Sequence, residues 1–169
     1  MEDCYICRKH AAMSVVPGGV ITEDEHAVVS HLPLTTPTAC SSEVYLGHLF
    51  VELRRHVAEL GELTTDEAAS VGRLAALASR ALMSSEGAEH VYAAVIGHGI
   101  PHFHLHLIAR YPGTPEAYWW TRLDEWPDAP RGDAVAIIAL ADRLRAAIGA
   151  VDEPRHRGSG VDRPGRVTR

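Results

Sequence analysis

Residues 101–110 read PHFHLHLIAR. His102, His104 and His106 alternate with Phe103 and Leu105, and the apolar pair Leu107-Ile108 follows. A helix would scatter positions 102, 104 and 106 around its circumference, whereas a strand turns successive side chains to opposite faces. The alternation is that of a half-buried strand. All three imidazoles then share one face, and Phe103, Leu105 and Leu107 share the other, where they pack into a core. Imidazole is the side chain that serves as base, acid, nucleophile or metal ligand near neutral pH.

The rest of the pattern supplies a sheet and two helices around this strand. Met13–Val16 and Val20–Thr22 read as short strands about the turn Pro17-Gly18-Gly19. His26–Leu32 reads as another strand, 33–43 as loop, and Val44–Leu53 as a strand rich in β-branched and large apolar residues. Thr65–Ser84 is the clearest helix. Thr64 and Glu67 form a capping box at its start, Asp66 adds negative charge to its first turn, and Gly87 stops it. Val71, Ala75, Ala78 and Leu82 share one of its faces. His90–Gly97 reads as a buried strand, and the turn His98-Gly99-Ile100-Pro101 leads antiparallel into the histidine strand. Residues 111–132 are punctuated by Pro and Gly and hold Trp119, Trp120 and Trp126. Ala134–Ile148 reads as a second helix with Val135, Ile138, Ala141 (or Asp142 beside it) and Leu144 toward one side. From Val151 to Arg169 almost nothing can be buried, and that stretch reads as a disordered tail.

With 169 residues the chain is long enough to bury a core, and residues 1–150 read as one domain. No apolar run is long enough to span a membrane. The N-terminal MEDCYICRKH lacks the basic-then-apolar order of a secretory signal, so a cytoplasmic location is expected. A net charge of −6 argues against a broad nucleic-acid surface while leaving room for a local phosphate site. Of three cysteines, Cys4 and Cys7 form a C-x-x-C that points to metal or redox chemistry, and Cys40 sits alone in a loop. No helix is expected to begin at Cys4 to stabilise a thiolate, which disfavours the redox role.

All three strand histidines on a single metal ion is a strained arrangement. The Cα atoms of His102 and His106 would lie roughly 13 Å apart, against metal–nitrogen bonds of about 2 Å. Divided labour fits better: one imidazole attacks an electrophile while the others position the substrate and leaving group. Phosphorus is a suitable electrophile for neutral imidazole, and phosphoryl transfer gains mostly from positioning and charge stabilisation.

His102-Phe-His104-Leu-His106-Leu107-Ile108 resembles the His-φ-His-φ-His-φ-φ signature of the histidine triad superfamily of nucleotide hydrolases and transferases. A second stretch, YLGHLFVELRRHVAELGELT over Tyr45–Thr64, is similar to the family's Gly-His strand and the approach to its long helix. The resemblance runs from about Cys4 to Arg110. It implies an α+β histidine-triad-like fold: an antiparallel sheet of about five strands, one long helix and a C-terminal helix. It also implies roles. His104 would be the nucleophile that takes the phosphoryl or nucleotidyl group, His106 would hydrogen-bond phosphate oxygens, and His48 would lie on the adjacent strand near the same phosphate. The substrate would be a small phosphorylated molecule, a nucleotide first of all, and the chain would form a homodimer.

In the zinc-bearing branch of the superfamily, which includes galactose-1-phosphate uridylyltransferase, an N-terminal C-x-x-C pairs with two histidines. The matching residues are Cys4, Cys7, His56 and His102, within a zinc-binding turn over residues 4–10. Four protein ligands complete a tetrahedron, so the zinc would be structural.

The chain departs from the family pattern where nucleotide is read. His31 stands at the position that matches the ribose-binding acid, Ile96 stands near the usual Asn, and the turn before the triad is short and ends in Pro101. Loop 33–44 is also longer than usual. Tyr118-Trp119-Trp120-Thr121-Arg122 offers replacement contacts: aromatics against a base or sugar, with Arg122 or Arg110 on phosphate. The competing reading of these tryptophans is cover for a core edge or a dimer contact. For the whole chain the expected activity is hydrolysis or transfer at phosphate through a covalent His104 intermediate, with hydrolysis favoured. The rivals are a zinc-stabilised protein that binds a nucleotide or phosphorylated ligand without turnover, and a metallohydrolase that uses the triad as metal ligands.

Overall fold

The structure is a computed structural model that describes residues 4–37, 39–97 and 99–152. In chain order the elements are α1 (Tyr5–Ala11), β1 (Thr22–Glu23), β2 (Ala27–His31), β3 (Val44–Tyr45), β4 (His48–Leu53), α2 (Thr65–Glu86), β5 (His90–Val95), β6 (His104–Arg110), β7 (Arg131–Gly132) and α3 (Ala134–Asp152). Five strands form an antiparallel sheet in the order β1-β2-β4-β6-β5, and β3 pairs with β7 beside it. The α+β architecture expected from the sequence, with its five-stranded sheet, long helix and C-terminal helix, is the one observed.

Strand alternation divides the sheet into two chemically different faces. Val29, Leu49, Val51, Leu53, Leu107 and Ala109 point to one side, where they meet Val71, Leu74, Ala78 and Leu82 of α2 and Leu140, Ala141, Leu144 and Ile148 of α3. Phe103 and Leu105 join this core as their spacing predicts. Each fully buried Leu or Ile there adds about 1.5–3 kcal/mol of transfer free energy. The other face carries Ser30, Phe50, Glu52, His104 and His106, with Glu52 paired to His104 and Phe50 to His106 across β4 and β6. Helix α1 packs on this second face, where Lys9 reaches Ser30 and Glu52.

Helix α2 starts at the expected capping box. Thr64 Oγ1 accepts from the Glu67 amide at 3.3 Å, and Glu67 Oε2 accepts from the Thr64 amide at 2.8 Å. The helix ends at Gly87, whose φ of 73° supplies the left-handed cap that its sequence position predicts.

Several local expectations are corrected. Residues 4–10 are not a turn, because α1 begins immediately after Cys4, so a helix does start at the C-x-x-C. Met13–Val15 is a 3-10 turn rather than a strand. The run Val44–Leu53 is two strands, broken at Leu46-Gly47, where Gly47 has φ of 91°. A Cβ there would lie 2.4 Å from Tyr111 Oη, so only glycine fits both the backbone and the space. β5 is the outer edge of the sheet and largely exposed, not buried. Helix α3 continues past Ile148 to Asp152. Its inner stripe is Ile137, Leu140, Ala141, Leu144 and Ile148, while Val135 and Ile138 face outward. Residues 111–132 contain two 3-10 turns, Glu116–Tyr118 and Trp120–Glu125, before β7. The tail, apart from the end of α3, lies outside the described residues. No helix among those residues is long and apolar enough to cross a membrane.

Candidate active site and metal centre

β4 and β6 bring His48, His104 and His106 onto the face opposite the core. The ring centroids of His104 and His106 are 4.9 Å apart, and those of His48 and His106 are 5.2 Å apart. Phe50 stands among them, edge-on to His48, His104 and His106 at 5.2, 5.5 and 4.8 Å. The protonation pattern follows from the hydrogen bonds. His104 Nδ1 lies 2.7 Å from the His102 carbonyl oxygen, which can only accept, so Nδ1 carries a proton and, in the neutral tautomer, Nε2 keeps the lone pair. His48 Nε2 and His106 Nδ1 are 3.0 Å apart and share one proton between them. When His48 donates it, the proton of His106 sits on Nε2, a buried atom with no hydrogen-bond partner among the described residues.

Burial lowers the pKa of His106 to about 4, and the neighbouring His104 adds to the shift. Burial lowers that of His48 to about 3, reinforced by His106, His31 and His104. Both rings are therefore neutral at physiological pH. A neutral ring with one N–H and one lone pair is suited to donating to a phosphoryl oxygen without losing the lone pair that its neighbour uses.

A cavity of about 130 Å³ adjoins this cluster. It is lined by His48 and His106 together with Tyr45, Ile96, Ile108, Trp120, Thr121, Leu123 and Asp124. Trp120 has φ of 69°, an uncommon conformation for a bulky residue, and its ring meets Tyr92 edge-on at 5.3 Å. Ile96 gives this cavity an apolar lining. Neither arginine proposed for phosphate lines it. The Arg110 guanidinium lies 4.1 Å from the centroid of the Trp119 ring and 3.6 Å from Glu89, and Arg122 pairs with Glu125 at 2.8 Å. Trp119 thus covers an arginine, and Trp120 is the tryptophan at the histidine cavity. His31 is fully buried on the core side, with Nδ1 donating to the Leu32 carbonyl at 2.8 Å and Nε2 accepting from the Gly47 amide at 3.2 Å. It holds the β2–β4 junction and has no atom left for a ligand.

His102 lies just before β6, and its ring turns under α1 toward the cysteines. The Nδ1 atoms of His56 and His102 are 3.3 Å apart. Cys4 Sγ is 3.4 Å from His102 Nδ1, and Cys7 Sγ lies 3.5 Å from His102 Nδ1 and 3.6 Å from His56 Nδ1. All four donor atoms fall within 4.8 Å of one another. A tetrahedral zinc with its usual bond lengths separates two nitrogens by roughly 3.3 Å and a nitrogen from a sulfur by roughly 3.5 Å. The donor set therefore fits zinc in chemistry and in spacing. His102 Nε2 donates to the Leu53 carbonyl at 2.7 Å, which leaves the Nδ1 lone pair facing the cluster. A cleft of about 360 Å³ beside the donor set is lined by Tyr5, Arg8, Pro37 and Gly99–Pro101 as well as Cys4 and His56.

The same architecture occurs in solved structures. A zinc-bound histidine triad family protein from Mycobacterium smegmatis superimposes with a TM-score of 0.63 at 20% identity, over 89% of this chain and 96% of that one. A hypothetical histidine triad nucleotide-binding protein from Sulfolobus tokodaii gives 0.64 at 19% identity, over 88% and 93%. The fold is the histidine triad fold. A Hit-like protein from Bartonella henselae described as involved in cell-cycle regulation shares it with a TM-score of 0.60 at 16% identity, over 87% of this chain and 97% of that one. No protein-family model and no curated protein sequence matches the chain. Within the histidine triad fold, the sequence reasoning missed four residues of the histidine face: Phe50, Lys9, His10 and Glu52. Phe50 could have been found from its parity with His48 on one strand. Lys9 and His10 required knowing that α1 crosses this face.

Proposed function

We propose that the protein is a histidine triad hydrolase acting at the phosphate centre of a small phosphorylated substrate, in the first instance a nucleotide. The hydrogen bond from His104 Nδ1 to the His102 carbonyl carries this reading, because it aims an unprotonated Nε2 away from the strand beside the His48–His106 pair. In the proposed reaction His104 Nε2 attacks phosphorus, an N–P bond forms, and the bond from phosphorus to the leaving group breaks. His106 donates from Nε2 to a phosphoryl oxygen and His48 holds its tautomer. The leaving group departs with a proton from solvent or substrate. Water then attacks phosphorus and gives up a proton to solvent, the N–P bond breaks, and His104 recovers its lone pair. Electrostatic positioning of this kind supplies most of the acceleration in phosphoryl transfer.

Cys4, Cys7, His56 and His102 would hold a structural zinc. Four protein ligands would leave no open coordination position, so Cys4, Cys7, His56 and His102 would use a bound zinc to fix the backbone before His104, outside the chemistry itself. The zinc-bound relative with the same fold supports this assignment. A homodimer is the expected assembly, with the open edge of β5 and its exposed Val95 as the available surface. We place one domain over residues 1–150, in the cytoplasm.

Incubation with a panel of nucleotides, phosphoramidates and sugar phosphates, followed by intact-mass measurement, tests the function. The expected result is an adduct on His104 that disappears in His104→Ala. An adduct at another residue, or turnover that survives His104→Ala, overturns the mechanism.

A further inference from the structure

Lys9 and Glu52 are charged residues buried outside the histidine cavity, 6% and 1% exposed, and they lie against each other on the sheet face that carries His104. Lys9 Nζ is 2.5 Å from Glu52 Oε1 and 3.0 Å from Ser30 Oγ. His10 Nε2 is 3.1 Å from Glu52 Oε2, so both carboxylate oxygens are engaged. The His10 ring also meets the His102 ring edge-on at 6.0 Å.

A buried ion pair is a poor way to gain stability, since an apolar contact of similar volume does as well or better, but it tolerates little variation in geometry. Helix α1 has seven residues, too few to persist alone, and Ile6 is its one fully buried apolar side chain. Something else must set where it docks. Lys9 and His10 follow Cys7 by two and three residues, and Glu52 lies on β4, just before the segment that carries His56. The same contacts that seat α1 on the sheet therefore decide whether Cys4 and Cys7 meet His56 and His102.

We propose that Lys9, His10 and Glu52 form a buried latch that docks α1 and presets the two cysteines opposite the two histidines. They are positioning residues for zinc binding, and the proposal rests on the metal reading given above. Residues that orient metal ligands from behind commonly change affinity by about 10–100-fold when replaced.

Chelator-competition titration of zinc on the full chain tests it. Glu52→Gln, Lys9→Met and His10→Phe are each expected to weaken zinc by about tenfold or more. Glu86→Gln breaks another ion pair, the 2.7 Å contact with Arg143 between α2 and α3, and should leave zinc affinity unchanged. The double variant Lys9→Met/Glu52→Gln removes both buried charges, so its thermal midpoint recovers relative to the single variants while its zinc affinity stays low. Latch variants that bind zinc within tenfold of wild type, or a double variant restored to wild-type affinity, overturn the latch. If Glu52→Gln and Lys9→Met do not fold, His10→Phe decides alone by the same threshold, because it leaves the Lys9–Glu52 pair in place. A wild-type chain that takes up no zinc instead overturns the metal reading itself.

Discussion

The carbonyl oxygen of His102 accepts the Nδ1 proton of His104 at 2.7 Å, while the ring of the same His102 points its own Nδ1 at the two cysteines. One residue thus sets the tautomer of the proposed nucleophile through its backbone and contributes to the Cys/His donor set through its side chain. His102 is 1% exposed, so neither contact competes with water.

Removing the His106 ring tests the donor assigned to it. In His106→Ala the rate of adduct formation on His104 is expected to fall by about 10²–10³, the usual loss for one preorganised donor. Single-turnover intact-mass kinetics measures it. A rate unchanged within twofold would remove His106 from the mechanism.

Cys7→Ser should release the metal and lower thermal stability. A ligand held a thousandfold above its dissociation constant contributes about 4 kcal/mol, and in a chain of this size that corresponds to a midpoint lower by about 10 °C. Elemental analysis with calorimetry reads both. Metal retained in Cys7→Ser but lost in His104→Ala would favour the metallohydrolase reading.

Stability should fall on mild acidification. Burial holds His31 and His106 at about 4 and His48 at about 3, below the ordinary histidine value near 6.5. Between those limits the unfolded chain binds protons that the folded chain does not, so unfolding free energy rises with pH there. The contribution is full above pH 6.5 and is lost as pH drops through the folded values. For the fully buried His31 the loss is about 3 kcal/mol. Urea midpoints at pH 7, 6 and 5, taken on the zinc-free Cys7→Ser chain, should decrease in that order. A flat profile would mean that these rings take up protons in the native state over the same pH range as in the unfolded chain.

Gly47→Ala should be destabilising by about 2–4 kcal/mol, because it combines a left-handed backbone with a collision against Tyr111. Gly47 is followed directly by His48, so the same change should slow adduct formation. Gly72→Ala, where nothing lies within 4 Å of the added carbon, is the matched control and should be neutral or stabilising.

Much of this was legible in the chain because the informative residues obey simple periods. The alternation at 102–107 placed Phe103 and Leu107 in the core, and the Thr64–Glu67 box marked where α2 begins. Helix α1 was not legible. It has no oxygen-bearing N-cap, no acid in its first turn and only seven residues, so tertiary contacts through Lys9 rather than local propensity determine it. On α3 the apolar residues are so dense that two stripes compete. Only tertiary packing, which buries Ile137 beside Gly18, selects it over Ile138. β5 reads as buried because its composition is apolar throughout, and a strand's own sequence does not say that it stands at a sheet edge. Cys4, Cys7, His56 and His102 were named as candidate metal donors by resemblance, while their spacing came from the fold.

The donor set joins residues far apart along the chain: 98 positions separate Cys4 from His102. At about 5–20 residues per second of synthesis, the first thiol waits some seconds before its last partner exists. Until then the donor set is incomplete, and both sulfurs are open to whatever metal or oxidant the surroundings offer. The two cysteines, made well before His102, thus depend on the last-made donor to close the site.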